Sequence, residues 1–128
     1  MNVVFDLGGV VFRWQPDVIV SSIFADSKTQ ELARARIIGH EDWVELDRGS
    51  IALDKAIERA ATRTGLPRQD VEKLFHAVPQ HLTPIEETIE LIRTVKDSNN
   101  RLYVLSNMHF ASITYLEKEH MIWDLFDG

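Results

Sequence analysis

Asp6 and the Ser106-Asn107 pair are the residues whose types and settings could do chemistry together in this 128-residue chain. Asp6 follows the apolar run Asn2-Val3-Val4-Phe5 and precedes Leu7-Gly8-Gly9. A carboxylate at the end of a buried strand, followed by a glycine turn, has a specific use. The turn can aim backbone N–H groups at an anion, while the carboxylate binds a hard cation or attacks phosphorus. A phosphoryl group under attack carries its own negative charge, so Mg²⁺ is the expected helper. Ser106 ends a second apolar run, Leu102-Tyr103-Val104-Leu105, and can donate its hydroxyl to phosphoryl oxygens, with Asn107 adding an amide donor.

Each of these residues also has a plainer use. A strand-end aspartate commonly caps the turn behind it, and Ser-Asn pairs commonly start helices. The pairing of the two strand ends favours the chemical reading. It requires the elements that carry them to be neighbours.

Both apolar runs are short, lack polar alternation and contain β-branched residues, which suits strands buried on both faces of a parallel sheet. Val10-Val11-Phe12 reads as a further short extended piece. Between Pro16 and about Gln80 the pattern is helical throughout. Pro16 can open one helix, Asp26 or Ser27 can cap the next, and Ser50 can cap a third that ends at Gly65. Pro67 opens a fourth, which stops at Pro79. Thr83-Pro84-Ile85-Glu86 has the form of a capping box, followed by Ile85, Ile89, Ile92 and Val95 at helical spacing. A last helix is expected from Phe110 to Glu119. Two strands joined through helix should be parallel with a right-handed crossover, so their carboxyl ends share one sheet edge, where open α/β folds place ligands.

Composition narrows the function classes. The net charge of −6 argues against a nucleic-acid or anionic-membrane binder, both of which need a positive field. The absence of cysteine excludes disulfides, zinc-thiolate sites and cysteine nucleophiles. No apolar run reaches the ~20 residues a bilayer span needs, and the N-terminus lacks a basic leader, so a soluble cytoplasmic protein is expected. Gly8-Gly9 lacks the G-x-G-x-x-G spacing of dinucleotide binders.

At Val3-Val4-Phe5-Asp6-Leu7-Gly8-Gly9-Val10-Val11 the chain resembles the first motif of the haloacid dehalogenase superfamily, and Leu102-Tyr103-Val104-Leu105-Ser106-Asn107 resembles its second. The resemblance includes Trp14-Gln15-Pro16 and Leu46-Asp47-Arg48-Gly49, and is nearest the sugar-1-phosphate phosphatase branch. It implies an α/β fold: an incomplete Rossmann-like core in residues 1–13 and 82–128, with an inserted α-helical cap in 14–81. It further implies a Mg²⁺-dependent phosphomonoesterase acting on a small phosphorylated metabolite through an aspartyl-phosphate on Asp6. Asp6 and the Gly8 carbonyl would hold the metal, and Gly9, Ser106 and Asn107 the phosphate. Trp14, Trp43 and Arg48 are candidate substrate contacts. Trp43 can equally be core, and Asp47-Arg48 a solvated ion pair. His40, His76 and His81 lack metal-ligand spacing, and His109 and His120 read as surface residues.

Two departures from the family pattern stand out. Gly8 occupies the position where the phosphatases usually carry a second aspartate that protonates the leaving alcohol, and a missing general acid typically costs about 10²–10⁴ in rate. The family's third-motif lysine and fourth-motif acidic pair should follow Asp127-Gly128, and Lys118 is a poor substitute. The chain is therefore expected to be the front part of a longer protein, inactive or nearly so alone, with an open sheet edge able to self-associate. Two other functions fit the same residues: a 2-haloacid dehalogenase, which uses the nucleophile without metal, and a non-catalytic phosphate-binding or assembly module.

Overall fold

The computed structural model describes residues 1–106 and 108–128, without the side chain of Phe110. Asn107, a candidate phosphate contact, therefore lies outside the described residues. Two compact units are formed, Met1–Trp14 with Leu82–Gly128, and Gln15–His81.

The first unit contains two strands, β1 (Asn2–Phe5) and β2 (Arg101–Val104), paired in parallel with Asn2 opposite Arg101 and Phe5 opposite Val104. Side chains alternate across a strand, so Val3, Phe5 and Leu102 share one face and Val4 and Tyr103 the other. Phe5 and Leu102 are buried, whereas Val4 is 58% exposed and Leu105, just past β2, is 73% exposed. The expectation of strands buried on both faces is thus corrected: one face is packed and the other open. The far side of β2 is bonded to Asp127 and Gly128, which run alongside it in the same direction. Asp127 N–H donates to Leu102 O at 2.6 Å and Val104 N–H donates to Gly128 O at 2.8 Å.

Val10 and Val11 belong to a turn, not to a strand. The Leu7 carbonyl accepts the N–H groups of Val10, Val11 and Phe12 at 3.3, 3.0 and 2.9 Å, and Gly9 takes the positive φ of 79° that closes the loop. Phe12 then bridges antiparallel to Pro84. Arg13 N–H donates to Thr83 O, and Ile85 N–H to Val11 O, both at 2.8 Å. This pairing holds Thr83 to Ile85 extended, so the expected capping box does not form. The following helix runs from Glu86 to Asp97 with Ile85 at its N-cap and no side-chain cap. Long-range backbone pairing has displaced a local cap.

The second unit is helical. In chain order it holds α1 (Pro16–Ile23), α2 (Ser27–Ala33), a π-turn (Arg34–Ile38), α3 (Glu41–Asp47), α4 (Leu53–Thr64) and α5 (Arg68–Gln80). Pro16 opens α1, and Asp26 caps α2 by accepting the Thr29 N–H at 3.0 Å. Gly65 ends α4 at φ 73°, donating its N–H to Ala61 O. Ser50 does not cap α4, which starts at Leu53 behind Ala52. Pro79 does not stop α5, because in the last turn its missing N–H removes only one bond and the chain continues to Gln80. The short helix α3 carries none of the usual Ser, Thr, Asp or Asn caps. The His40 ring accepts the Asp42 N–H at 3.0 Å instead.

The Glu86–Asp97 helix is α6, and α7 spans Phe110–Glu119 as the sequence predicts, followed by a 3₁₀ turn at Ile122–Leu125. Ile89 and Ile92 of α6, Leu116 of α7 and Ile122 join Phe5, Phe12 and Leu102 in the core of the first unit. No helix among the described residues is long and apolar enough to cross a membrane.

Candidate active site

Asp6 leaves β1 directly after the last paired residue, and Ser106 is the second residue past the end of β2. Because the strands are parallel, both positions lie at the same edge of the sheet. Leu105 N–H donates to Phe5 O at 3.0 Å, which carries the ladder one residue beyond β2 and ties the approach to Ser106 to the approach to Asp6.

The Asp6 side chain is exposed, and its Oδ1 accepts the Leu7 N–H at 2.8 Å. This bond fixes the carboxylate against the turn that follows, while buried Leu7 anchors that turn in the core. Gly8 and Gly9 are both exposed, and a Cβ on either would meet no heavy atom within 4 Å. The loop is exposed beside an exposed carboxylate, but the Gly9 N–H is donated to Phe12 O at 2.7 Å, so the expectation that Gly9 holds phosphate is corrected: closing the turn uses that donor. Among the described residues no group of three or more His, Cys, Asp or Glu side chains gathers as a metal site. A Mg²⁺ ion commonly uses only one or two carboxylates, with waters and substrate phosphate completing its shell. The Asp6 carboxylate and the Gly8 carbonyl are compatible with such a minimal site.

The other substrate candidates are placed separately. Trp14, in the first unit, is 37% exposed. Trp43 is buried in the helical unit, its ring 5.1 Å from that of Phe75 at an interplanar angle of 34°, so packing accounts for its size and position. Arg48 lies on the surface with Nη1 3.5 Å from Glu45 Oε1, one helical turn back. Neighbouring helical residues such as Asp47 and Arg48 point about 100° apart, which is why the i,i+3 partner is reached.

Two histidines are not the surface residues the sequence suggests. His109, at the N-cap of α7, is 6% exposed, and its Nε2 lies 3.1 Å from the Oγ of fully buried Ser112. His120 is half-buried, with its ring 5.1 Å from that of Phe12. The serine three residues after His109 is the one sequence signal for this pair, since that spacing puts it within reach of a residue at a helix start.

Asp127 is a further polar anchor missed in the sequence. Its Oδ2 accepts the Leu102 N–H at 2.8 Å, and both carboxylate oxygens take Lys96 Nζ, at 3.1 and 3.0 Å. The Leu102 N–H and the Lys96 ammonium hold its carboxyl below the ordinary value of 3.8.

No family model matches the chain. Over 125 residues it is 30% identical to the sesquiterpene phosphatase astK of Aspergillus oryzae, covering 98% of this chain and 60% of that protein. It is 25% identical over 127 residues to the drimenol cyclase drtB of Aspergillus calidoustus, covering 97% of this chain and 23% of that protein. The chain thus spans less than two thirds of the curated relatives it matches, and its likeness to a phosphatase runs through both strand ends that carry Asp6 and Ser106.

Proposed function

We propose that this chain forms part of a phosphatase of the haloacid dehalogenase superfamily, an α/β core with an inserted helical cap. Asp6 is the nucleophile and Ser106 a phosphate ligand. The observation that carries this reading is the parallel register of β1 and β2, which brings a carboxylate and a hydroxyl to one sheet edge although 99 residues lie between them in the chain. The similarity to astK supports phosphate-ester hydrolysis as the reaction class.

In this mechanism one Asp6 carboxylate oxygen attacks phosphorus, and the bond from phosphorus to the ester oxygen breaks. Its electron pair leaves on the ester oxygen, which takes a proton from water to become the alcohol. The resulting aspartyl-phosphate is then hydrolysed by water, regenerating the carboxylate and releasing inorganic phosphate. Ser106 orients the phosphoryl oxygens, and Asn107 is assigned to the same anion. Mg²⁺, when bound by Asp6 and the Gly8 carbonyl, offsets the charge of the phosphoryl group. Gly8 offers no acid to the departing alcohol, so good leaving groups are favoured.

The substrate class follows from the relative's name: a small phosphorylated metabolite, with a phosphorylated sesquiterpene the first to try. Exposed Val10, Trp14 and Leu105, close in sequence to Asp6 and Ser106, suit an apolar substrate body better than a sugar. The experiment, on the full-length protein, is Mg²⁺-dependent release of phosphate from an aryl phosphate and from a prenyl monophosphate, run beside Asp6→Asn. Loss of turnover in the variant is expected. Equal rates for both proteins would remove Asp6 from the mechanism.

A further inference from the structure

We infer that His109 is a positioning residue, which through its hydrogen bond to Ser112 sets where the Ser106 hydroxyl stands. This rests on the reading of Ser106 as a phosphate ligand.

Among the described residues, His109 and Ser112 are the two buried polar side chains. Burying an imidazole and a hydroxyl costs free energy unless both are hydrogen-bonded, and an apolar pair of similar volume would pack without that requirement. The geometry shows what the polar pair adds. The His109 carbonyl accepts the Ser112 N–H at 3.1 Å and the Ile113 N–H at 3.3 Å, while its ring holds the Ser112 hydroxyl at 3.1 Å. Backbone and side chain of His109 are therefore both tied to the first turn of α7, which fully buried Leu116 anchors in the core. On the other side of Ser106, Leu105 N–H is tied to Phe5 O at 3.0 Å. Ser106 stands between these two fixed points, which are only four residues apart. Loss of the ring bond leaves the backbone bonds of His109 in place but loosens that end, and displacement of the hydroxyl by about 1 Å is enough to forfeit a directed bond to an anion.

The test measures binding of inorganic phosphate in the presence of Mg²⁺ by ³¹P line broadening, which does not depend on turnover. His109→Leu and Ser112→Ala are each expected to weaken phosphate binding about tenfold, the worth of one hydrogen bond to a charged group. His109→Gln places an amide near the Nε2 position and is expected to restore most of the affinity. Ser106→Ala is expected to weaken binding to a similar extent, and His109→Leu added to it to cause no further loss. If His109→Leu fails to fold, the smaller change Ser112→Ala carries the same comparison. Additive losses in the double variant, or unchanged binding in both single variants while Ser106→Ala weakens it, would overturn the positioning role alone. Should Ser106→Ala bind as the wild type does, or the wild type bind no phosphate, the phosphate site itself falls and the role of His109 with it.

Discussion

Phe5 stands opposite Val104 at the carboxyl end of a parallel ladder, so the chain leaves both strands at the same edge of the sheet. Asp6 is the next residue on one side, and Leu105 and Ser106 are the next two on the other. Had the strands been antiparallel, the same two residues would have emerged at opposite ends, too far apart for one phosphoryl group. The parallel arrangement needs a long crossover, and the chain between β1 and β2 includes the whole helical unit as well as α6.

Adjacent glycines in the loop after Asp6 are expected to respond oppositely to substitution. Gly8 is not among the glycines at positive φ, and a Cβ there meets nothing within 4 Å. Gly8→Asp is therefore expected to fold normally and to speed hydrolysis of esters with poor leaving groups, by up to about 10²–10⁴. Gly9→Ala must hold an L-residue at φ 79° and is expected to cost about 1–2 kcal/mol. Leaving-group dependence of kcat checks the first, and denaturant unfolding the second. An unchanged rate in Gly8→Asp across all leaving groups would mean that protonation of the alcohol does not limit turnover.

Trp43 tests packing against recognition. Trp43→Ala is expected to destabilise the helical unit by about 3–5 kcal/mol, because it empties a buried ring site against Phe75. Trp43→Phe keeps a ring there and is expected to cost less. Urea melts give both values, and a rise in KM for the phenylalanine variant at unchanged kcat would add a substrate contact to its packing role.

Asp127 links stability to pH. Its carboxyl is held below the ordinary 3.8 in the folded chain by the Leu102 N–H and Lys96. The stabilisation is fully present above the unfolded value and is lost as pH falls through the lower folded one. The difference in Tm between the wild type and Asp127→Asn is expected to be constant above about pH 5 and to close in more acidic buffer. A gap that persists unchanged at the acid end would show that the charge on Asp127 is not what holds the segment to β2.

Local signals predict the structure where local energetics decide. The runs Asn2–Phe5 and Leu102–Leu105 predict strands, and Pro16, Asp26 and Gly65 predict helix ends, because strand propensity, proline's fixed φ, a capping carboxylate and glycine's access to positive φ act within a few residues. The failures occur where a distant segment competes. Thr83 has every feature of a cap, yet its carbonyl is taken by the N–H of Arg13, seventy residues earlier. Val4 and Leu105 look like core residues and are exposed, because one face of the sheet is open.

The sequence by itself determined the chemical types: a carboxylate before a glycine turn, a hydroxyl after an apolar run, and no thiol anywhere. Periodicity also determined the extended and helical stretches, since side-chain spacing along a segment is a property of that segment alone. Only the tertiary structure decided the register in which the two parallel strands pair, that the ring of His109 closes on the hydroxyl of Ser112, and that the Asp127 carboxylate holds the Leu102 N–H. Those are contacts whose free energy depends on which groups are brought together and shielded from water, and that is set by the folded chain as a whole.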